Sequence, residues 1–229
     1  MTLGEELIKF SQKLIENRLV LGPGGNTSVK KRETLLISPS GLAFSDLAST
    51  DLVEVEINTG KVLSTNGHRP SSEISMHRLI YQKRKDVTAI FHAHPTNLIA
   101  LSATQKRLEI MYPDSGLILG MEIPHIPYRT PCTHALGEEV ASVFENHSDV
   151  KVCVLRNHGV VCVANNIPLA YLRTELAENQ AEMYLKALSI EADEKIYKLS
   201  KSDFDGFMNL EIEKHRQKLL ENEKERNSE

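Results

Sequence analysis

The chain has 229 residues, 41% of them hydrophobic and 25% charged, with a formal net charge of −4. That is enough chain for one sizeable core, and the acidic balance leaves no basic footprint for nucleic acid. No apolar run approaches the roughly 20 residues of a membrane-spanning helix, and the three cysteines, Cys132, Cys153 and Cys162, follow no paired or CxxC pattern and read as reduced thiols.

The first residues lack the basic-then-apolar layout of a secretory signal, so the expected compartment is the cytoplasm. We expect a single domain over residues 1–229 with a charged tail from about residue 205, and find no internal repeat or linker. Leu7, Phe10, Leu14, Ile15 and Leu19 recur at three- and four-residue intervals, which predicts an amphipathic helix over residues 3–20. Gly22-Pro23-Gly24-Gly25 ends it and leads into Asn26-Thr27-Ser28-Val29-Lys30. These glycines permit close backbone approach and positive φ, but their spacing fits neither a P-loop nor a dinucleotide fingerprint. A short strand over 34–37 runs into Ser38-Pro39-Ser40-Gly41, a turn with two free hydroxyls. Residues 52–57 alternate apolar and acidic, then turn at Asn58-Thr59-Gly60 into 61–63, a hairpin with one solvated face.

Arg69-Pro70 closes the loop before a helix expected over 72–82, with Ser71 and Ser72 as caps and Glu73 in the opening turn. Residues 86–91 form a buried strand that delivers His92 and His94, and a helix follows over 96–103. Over 108–131 the pattern is weak, and strands and loops are expected there. Residues 133–146 read as a helix capped by Thr133. The β-branched runs 152–155 and 160–163 flank Arg156-Asn157-His158-Gly159 as a second hairpin, and Pro168 opens a long helix to about residue 190. Past Phe204, nearly balanced Glu, Lys and Arg read as a solvated helix.

Residues two apart on a strand point to one face, so His92 and His94 can offer both imidazoles to a single ion. A lone histidine on an apolar strand is ordinarily a satisfied core residue, whereas two in one buried space need a shared partner. His158, in a tight turn between two buried strands, is a third candidate. Three neutral nitrogen ligands suit zinc, and an open fourth position makes such a site catalytic. Glu73 is the candidate fourth ligand or general base, although the helix dipole alone favours an acid there. Ser71 and Ser72 either cap the helix or, with its free N–H groups, hold a phosphate. Gly25-Asn26-Thr27 and Ser40-Gly41 share that small, hydrogen-bonding character, and together the three loops would cradle a phosphate without arginine. His68, His134, His147 and His215 sit in polar surroundings and read as surface residues.

Gly-Gly-Asn-Thr-Ser at 24–28, Ser-Pro-Ser-Gly at 38–41, Ser-Ser-Glu at 71–73, His-Ala-His at 92–94 and Asn-His-Gly at 157–159 resemble, in order and spacing, the class II aldolase/adducin family, over roughly residues 5–190. The resemblance implies a three-layer α/β/α fold around a mainly antiparallel central sheet, and a homotetramer with active sites at subunit interfaces. It implies one Zn2+ per subunit on His92, His94 and His158, with Glu73 a ligand in the empty site and the base once substrate displaces it. Gly25, Asn26, Ser40, Gly41, Ser71 and Ser72 would hold the phosphate of a small-molecule sugar phosphate. Within the family the chain is most similar to the branch that cleaves a (deoxy)ketose 1-phosphate such as L-fuculose 1-phosphate to dihydroxyacetone phosphate and an aldehyde. Tyr112 is the nearest match to a tyrosine supplied by an adjacent subunit as acid at the aldehyde-side oxygen. A second, C-terminal tyrosine has no match, because Phe204 and Phe207 occupy that region. Dehydratases of the methylthioribulose-1-phosphate type keep the glutamate and the three histidines and are the main alternative. The 4-epimerases usually carry Asp where this chain has Glu73, and adducin-type binding modules lack metal residues that are all present here.

Overall fold

The computed structural model describes the backbone of residues 1–226 and side chains through residue 218. The helices are α1 (Leu3–Glu16), α2 (Ile74–Lys83), α3 (Thr96–Ser102), α4 (Pro113–Leu119), α5 (His134–Asn146), α6 (Ile167–Ile190), α7 (Lys201–Met208) and α8 (Glu211–Arg226). The strands are β1 (Asn26–Lys31), β2 (Thr34–Ile37), β3 (Val53–Glu56), β4 (Val62–Ser64), β5 (Ala89–Ala93), β6 (His125–Ile126), β7 (Val152–Leu155) and β8 (Gly159–Ala164). They form one sheet in the order β4-β3-β2-β1-β5-β8-β7-β6, antiparallel at every pairing except β6 with β7.

The two-residue side-chain period of a strand sorts the sheet into two faces. Ala89, Phe91 and Ala93, with Val160, Cys162 and Ala164, pack in one apolar cluster with residues of α1, α3, α4 and α6. Ile90, Val161 and Val163 pack in a second cluster with Met76, Ile80 and Tyr81 of α2 and with the inner face of α5. The result is helix layers on both sides of a mostly antiparallel sheet, as expected. Cys153 and Cys162 are buried free thiols in the central strands. No described helix is long and apolar enough to cross a membrane.

Four boundaries differ from the sequence-based expectation. The first helix stops at Glu16 rather than at residue 20, because Arg18 adopts a φ of 56° and Leu19 folds back, its amide donating to the Leu14 carbonyl at 2.7 Å. That fold-back lets Leu19 and Val20 stay in the core without extending the helix. The second helix begins at Ile74, with Glu73 as its N-cap and neither Ser71 nor Ser72 capping it through a side chain. The strand expected over 86–91 lies at Ala89–Ala93, so His92 is within it and His94 just beyond its end. Within 108–131 the chain forms α4 and only a two-residue strand. The charged tail is helical as far as it is described, and residues 227–229 lie outside the described residues.

Register sets the position of the site. Asn26 at the start of β1 pairs with His92 near the end of β5, and Ala93 pairs with Val160 near the start of β8. These three strand ends meet at one end of the sheet, on the face covered by α2.

Candidate metal centre and substrate cleft

His92 is fully buried, and its Nδ1 donates to the Val160 carbonyl oxygen at 3.0 Å. A carbonyl only accepts, so a neutral His92 carries its lone pair on Nε2. That nitrogen lies 2.9 Å from His94 Nε2 and 3.0 Å from Glu73 Oε2. His158 arrives from the turn between β7 and β8, where Asn157 takes a φ of 54° and its amide donates to Ser102 Oγ at 3.0 Å. One nitrogen from each of the three rings lies within 4.8 Å of the others. Glu73 Oε1 approaches His158 Nε2 at 3.7 Å, and this oxygen and His158 Nδ1 are both buried without a hydrogen-bond partner. Two glycines make room for the cluster. A Cβ on Gly25, whose φ is 70°, would lie 2.7 Å from the His92 carbonyl oxygen. A Cβ on Gly159 would run into the Ala93 carbonyl and approach His94 Cδ2 at 2.9 Å. Converging imidazole nitrogens beside a carboxylate oxygen that nothing else satisfies are a donor set that fits a divalent cation.

Beside the rings lies a cleft of about 280 Å³ lined by Gly25, Asn26, Ser40, Gly41, Ser71 and Ser72 together with Glu73, His94 and His158. Backbone pairing sews its walls together. The Ser71 amide donates to the Ser38 carbonyl at 3.1 Å and the Ser40 amide to the Arg69 carbonyl at 3.0 Å, flanking a bridge between Pro39 and Pro70. The Ser71 hydroxyl accepts from the Glu73 amide at 3.2 Å, and Ser72 Oγ accepts from Cys132 Sγ at 3.1 Å. Among the described residues no lysine or arginine lines the cleft. An anion there would be met by hydroxyls and peptide N–H groups.

The family described as Class II Aldolase and Adducin N-terminal domain matches residues 5–185. The chain belongs to this family. The L-fuculose phosphate aldolase of Methanocaldococcus jannaschii is 33% identical over 186 residues, covering 81% of this chain and 97% of that protein. A 5-deoxy-D-ribulose 1-phosphate aldolase of Bacillus thuringiensis is 32% identical over 191 residues, covering 81% of this chain and 85% of that one. A solved L-fuculose 1-phosphate aldolase superposes with a TM-score of 0.80 at 31% identity, over 89% of this chain and 92% of that structure.

The electrostatics of this class II aldolase family member prepare the cluster for a cation. Burial would raise the Glu73 pKa, but the charge and hydrogen bond of His92, with the Asn26 amide, hold it well below the usual carboxylate range. Burial opposes charging His92, yet the Glu73 carboxylate and the Val160 carbonyl raise it overall. Burial and the neighbouring His92 push His94 down to about 3 and His158 to about 4, so both rings are neutral at physiological pH, the form that ligates metal. Tyr112 lies outside this cleft. It stands at the N-cap of α4 with its hydroxyl 3.5 Å from Asn179 Oδ1 of α6. Three residues escaped the sequence reading although they bear on Glu73: His77, Ser28 and Tyr81, all fully buried. The available signal was Glu73, His77 and Tyr81 at four-residue spacing on one helix stripe, opposite Asn26 and Ser28 at two-residue spacing on a strand.

Proposed function

We propose that the chain is a metal-dependent aldolase, with one Zn2+ per subunit, that cleaves a (deoxy)ketose 1-phosphate such as L-fuculose 1-phosphate to dihydroxyacetone phosphate and an aldehyde. The observation that carries this reading is the cluster of His92, His94 and His158 beside the unpartnered Glu73 Oε1, at the inner end of a donor-lined cleft. A second substrate, 5-deoxy-D-ribulose 1-phosphate, has support of its own from the Bacillus thuringiensis relative.

A divalent cation here would be held by His92, His94 and His158, with Glu73 as a ligand only until substrate displaces it, and would supply Lewis-acid chemistry at a substrate carbonyl. The residues of the chain do the rest. Gly25, Asn26, Ser40, Gly41, Ser71 and Ser72 bind the phosphate, and their small side chains let it approach the backbone closely. Binding energy spent on that non-reacting group orients the reacting carbons. Glu73 moves the proton at the carbon of the dihydroxyacetone phosphate fragment, taking it when the bond forms and returning it on cleavage. Its Oε2 is held by Asn26 Nδ2 at 2.9 Å, which leaves Oε1 for that transfer. On the family resemblance, the proton of the aldehyde-side oxygen is assigned to Tyr112 of a neighbouring subunit; within its own chain Tyr112 does not line the cleft. This assignment requires the homotetramer that the family resemblance implies.

The test is incubation of the metal-replete protein with a panel of ketose 1-phosphates, with dihydroxyacetone phosphate as the product sought. Its release from a 6-deoxy- or 5-deoxyketose 1-phosphate is expected. Loss of water with the carbon chain intact would replace this reading by a sugar-phosphate dehydratase.

A further inference from the structure

Behind Glu73 lies a chain of buried hydrogen bonds with one possible direction. Asn26 must turn its Nδ2 toward the Glu73 carboxylate, 2.9 Å away, because a carboxylate only accepts. Asn26 Oδ1 therefore accepts from His77 Nε2 at 2.6 Å, which fixes the His77 proton on that nitrogen. His77 Nδ1 is then bare and accepts from Ser28 Oγ at 2.7 Å, and Ser28 Oγ in turn accepts from the Tyr81 hydroxyl at 2.9 Å, whose other acceptor, the Thr88 carbonyl, is more distant at 3.4 Å. Every donor points toward Glu73. Asn26, Ser28, His77 and Tyr81 are each at most 4% exposed, so water does not compete for these partners. The alignment follows from two periods that match. Four residues of helix rise about 6 Å and two residues of strand about 6.6 Å, so α2 and β1 stay in step from Glu73 to Tyr81.

We propose that His77 is a positioning residue for Glu73. By accepting from Ser28 and donating to Asn26, it holds the Asn26 amide with its N–H side toward the carboxylate, which pins Oε2 and presents Oε1 to the cleft. Without His77 the Oδ1 side of Asn26 loses its anchor, and the amide is free to swing out of line with Oε2. This role rests on Glu73 being the group that moves the proton.

The test is hydrogen exchange between dihydroxyacetone phosphate and D2O in the full-length, metal-replete protein, followed by NMR. This half-reaction needs Glu73 but no aldehyde. His77→Leu is expected to lower kcat for exchange by about 10–100-fold, as loss of an orienting partner typically does. KM for dihydroxyacetone phosphate and metal content should change less than about twofold. His77→Gln, whose amide can still donate to Asn26 Oδ1, should recover most of the rate. Exchange at the wild-type rate in His77→Leu overturns the proposal, as does a loss accompanied by equal losses of metal and of substrate affinity. Should His77→Leu fail to fold, Ser28→Ala decides by the same criteria: a lower kcat at unchanged KM supports the relay, and a wild-type rate overturns it. A wild-type protein that exchanges no hydrogen would sink the aldolase reading itself, whereas exchange that survives these substitutions would sink only the role of His77.

Discussion

Glu73→Gln separates holding the metal from moving the proton. The amide has the shape of the carboxylate, and its oxygen can still accept from Asn26 Nδ2, now 2.9 Å from Glu73 Oε2. What disappears is a base at Oε1, which has no hydrogen-bond partner, and a negative charge 3.0 Å from His92 Nε2. Without that charge the main influence favouring a protonated His92 is gone and burial favours the neutral ring, the form in which it ligates metal. The three imidazoles therefore survive as ligands, and metal content should stay near the wild-type value. Turnover should not. A positioned general base contributes about 10²–10⁴-fold, or ~3–5 kcal/mol of transition-state stabilisation. We expect steady-state cleavage and deuterium exchange into dihydroxyacetone phosphate to fall together by that factor in protein of verified metal content. Turnover within about threefold of wild type would refute the reasoning and send the search for the base elsewhere in the cleft.

Gly159→Ala places a Cβ against the Ala93 carbonyl and His94 Cδ2. Overpacking of this kind costs ~1–3 kcal/mol, or about 2–12 °C in Tm for a chain of this size, and metal content should drop with it; unchanged Tm and metal would show that the turn yields freely. Tyr112→Phe should slow cleavage while leaving hydrogen exchange into dihydroxyacetone phosphate intact, and equal losses in both would remove Tyr112 from the aldehyde side. Burial holds His77 and His94 at about 3 and His125 and His158 at about 4, against an ordinary 6.5, so in the chelated protein between about pH 4 and pH 6.5 all four are neutral when folded and protonated when unfolded. The unfolded chain then binds more protons, so stability rises with pH across that window, by up to ~1.4 kcal/mol per pH unit for each histidine. His92, whose pKa is raised, is charged in both states there and drops out. A urea midpoint of the chelated protein that stays flat, or rises toward acid, would contradict this.

The layered fold was legible because Val-rich runs such as 152–155 and 160–163 leave few alternatives to central strands, and the helices over 133–146 and 168–190 carry clear periods and caps. The pieces of the site were legible because each is a dense local motif: His92 and His94 two apart, and Asn157-His158-Gly159 in a tight turn. Helix α4 was hidden by its composition, since seven residues with Pro113 first and Gly116 inside leave too little period to read. The start of α2 was misplaced because the two serine hydroxyls that look like caps accept from the Glu73 amide and from Cys132 instead. His77 was not singled out because Asn26 and Ser28 lie about fifty positions away in the chain, and only strand register brings them opposite it. On the proposed reading Tyr112 serves a second subunit, and no single-chain pattern encodes such a contact.

Metal stoichiometry of the purified protein, determined by elemental analysis alongside His92→Ala, tests the centre of this account most directly. The account predicts close to one divalent cation per chain in the wild type, zinc above all. It predicts almost none in His92→Ala, with activity lost in parallel. A wild-type protein that turns over substrate after metal has been stripped to trace levels, or a His92→Ala variant that keeps its full complement of metal, would contradict it.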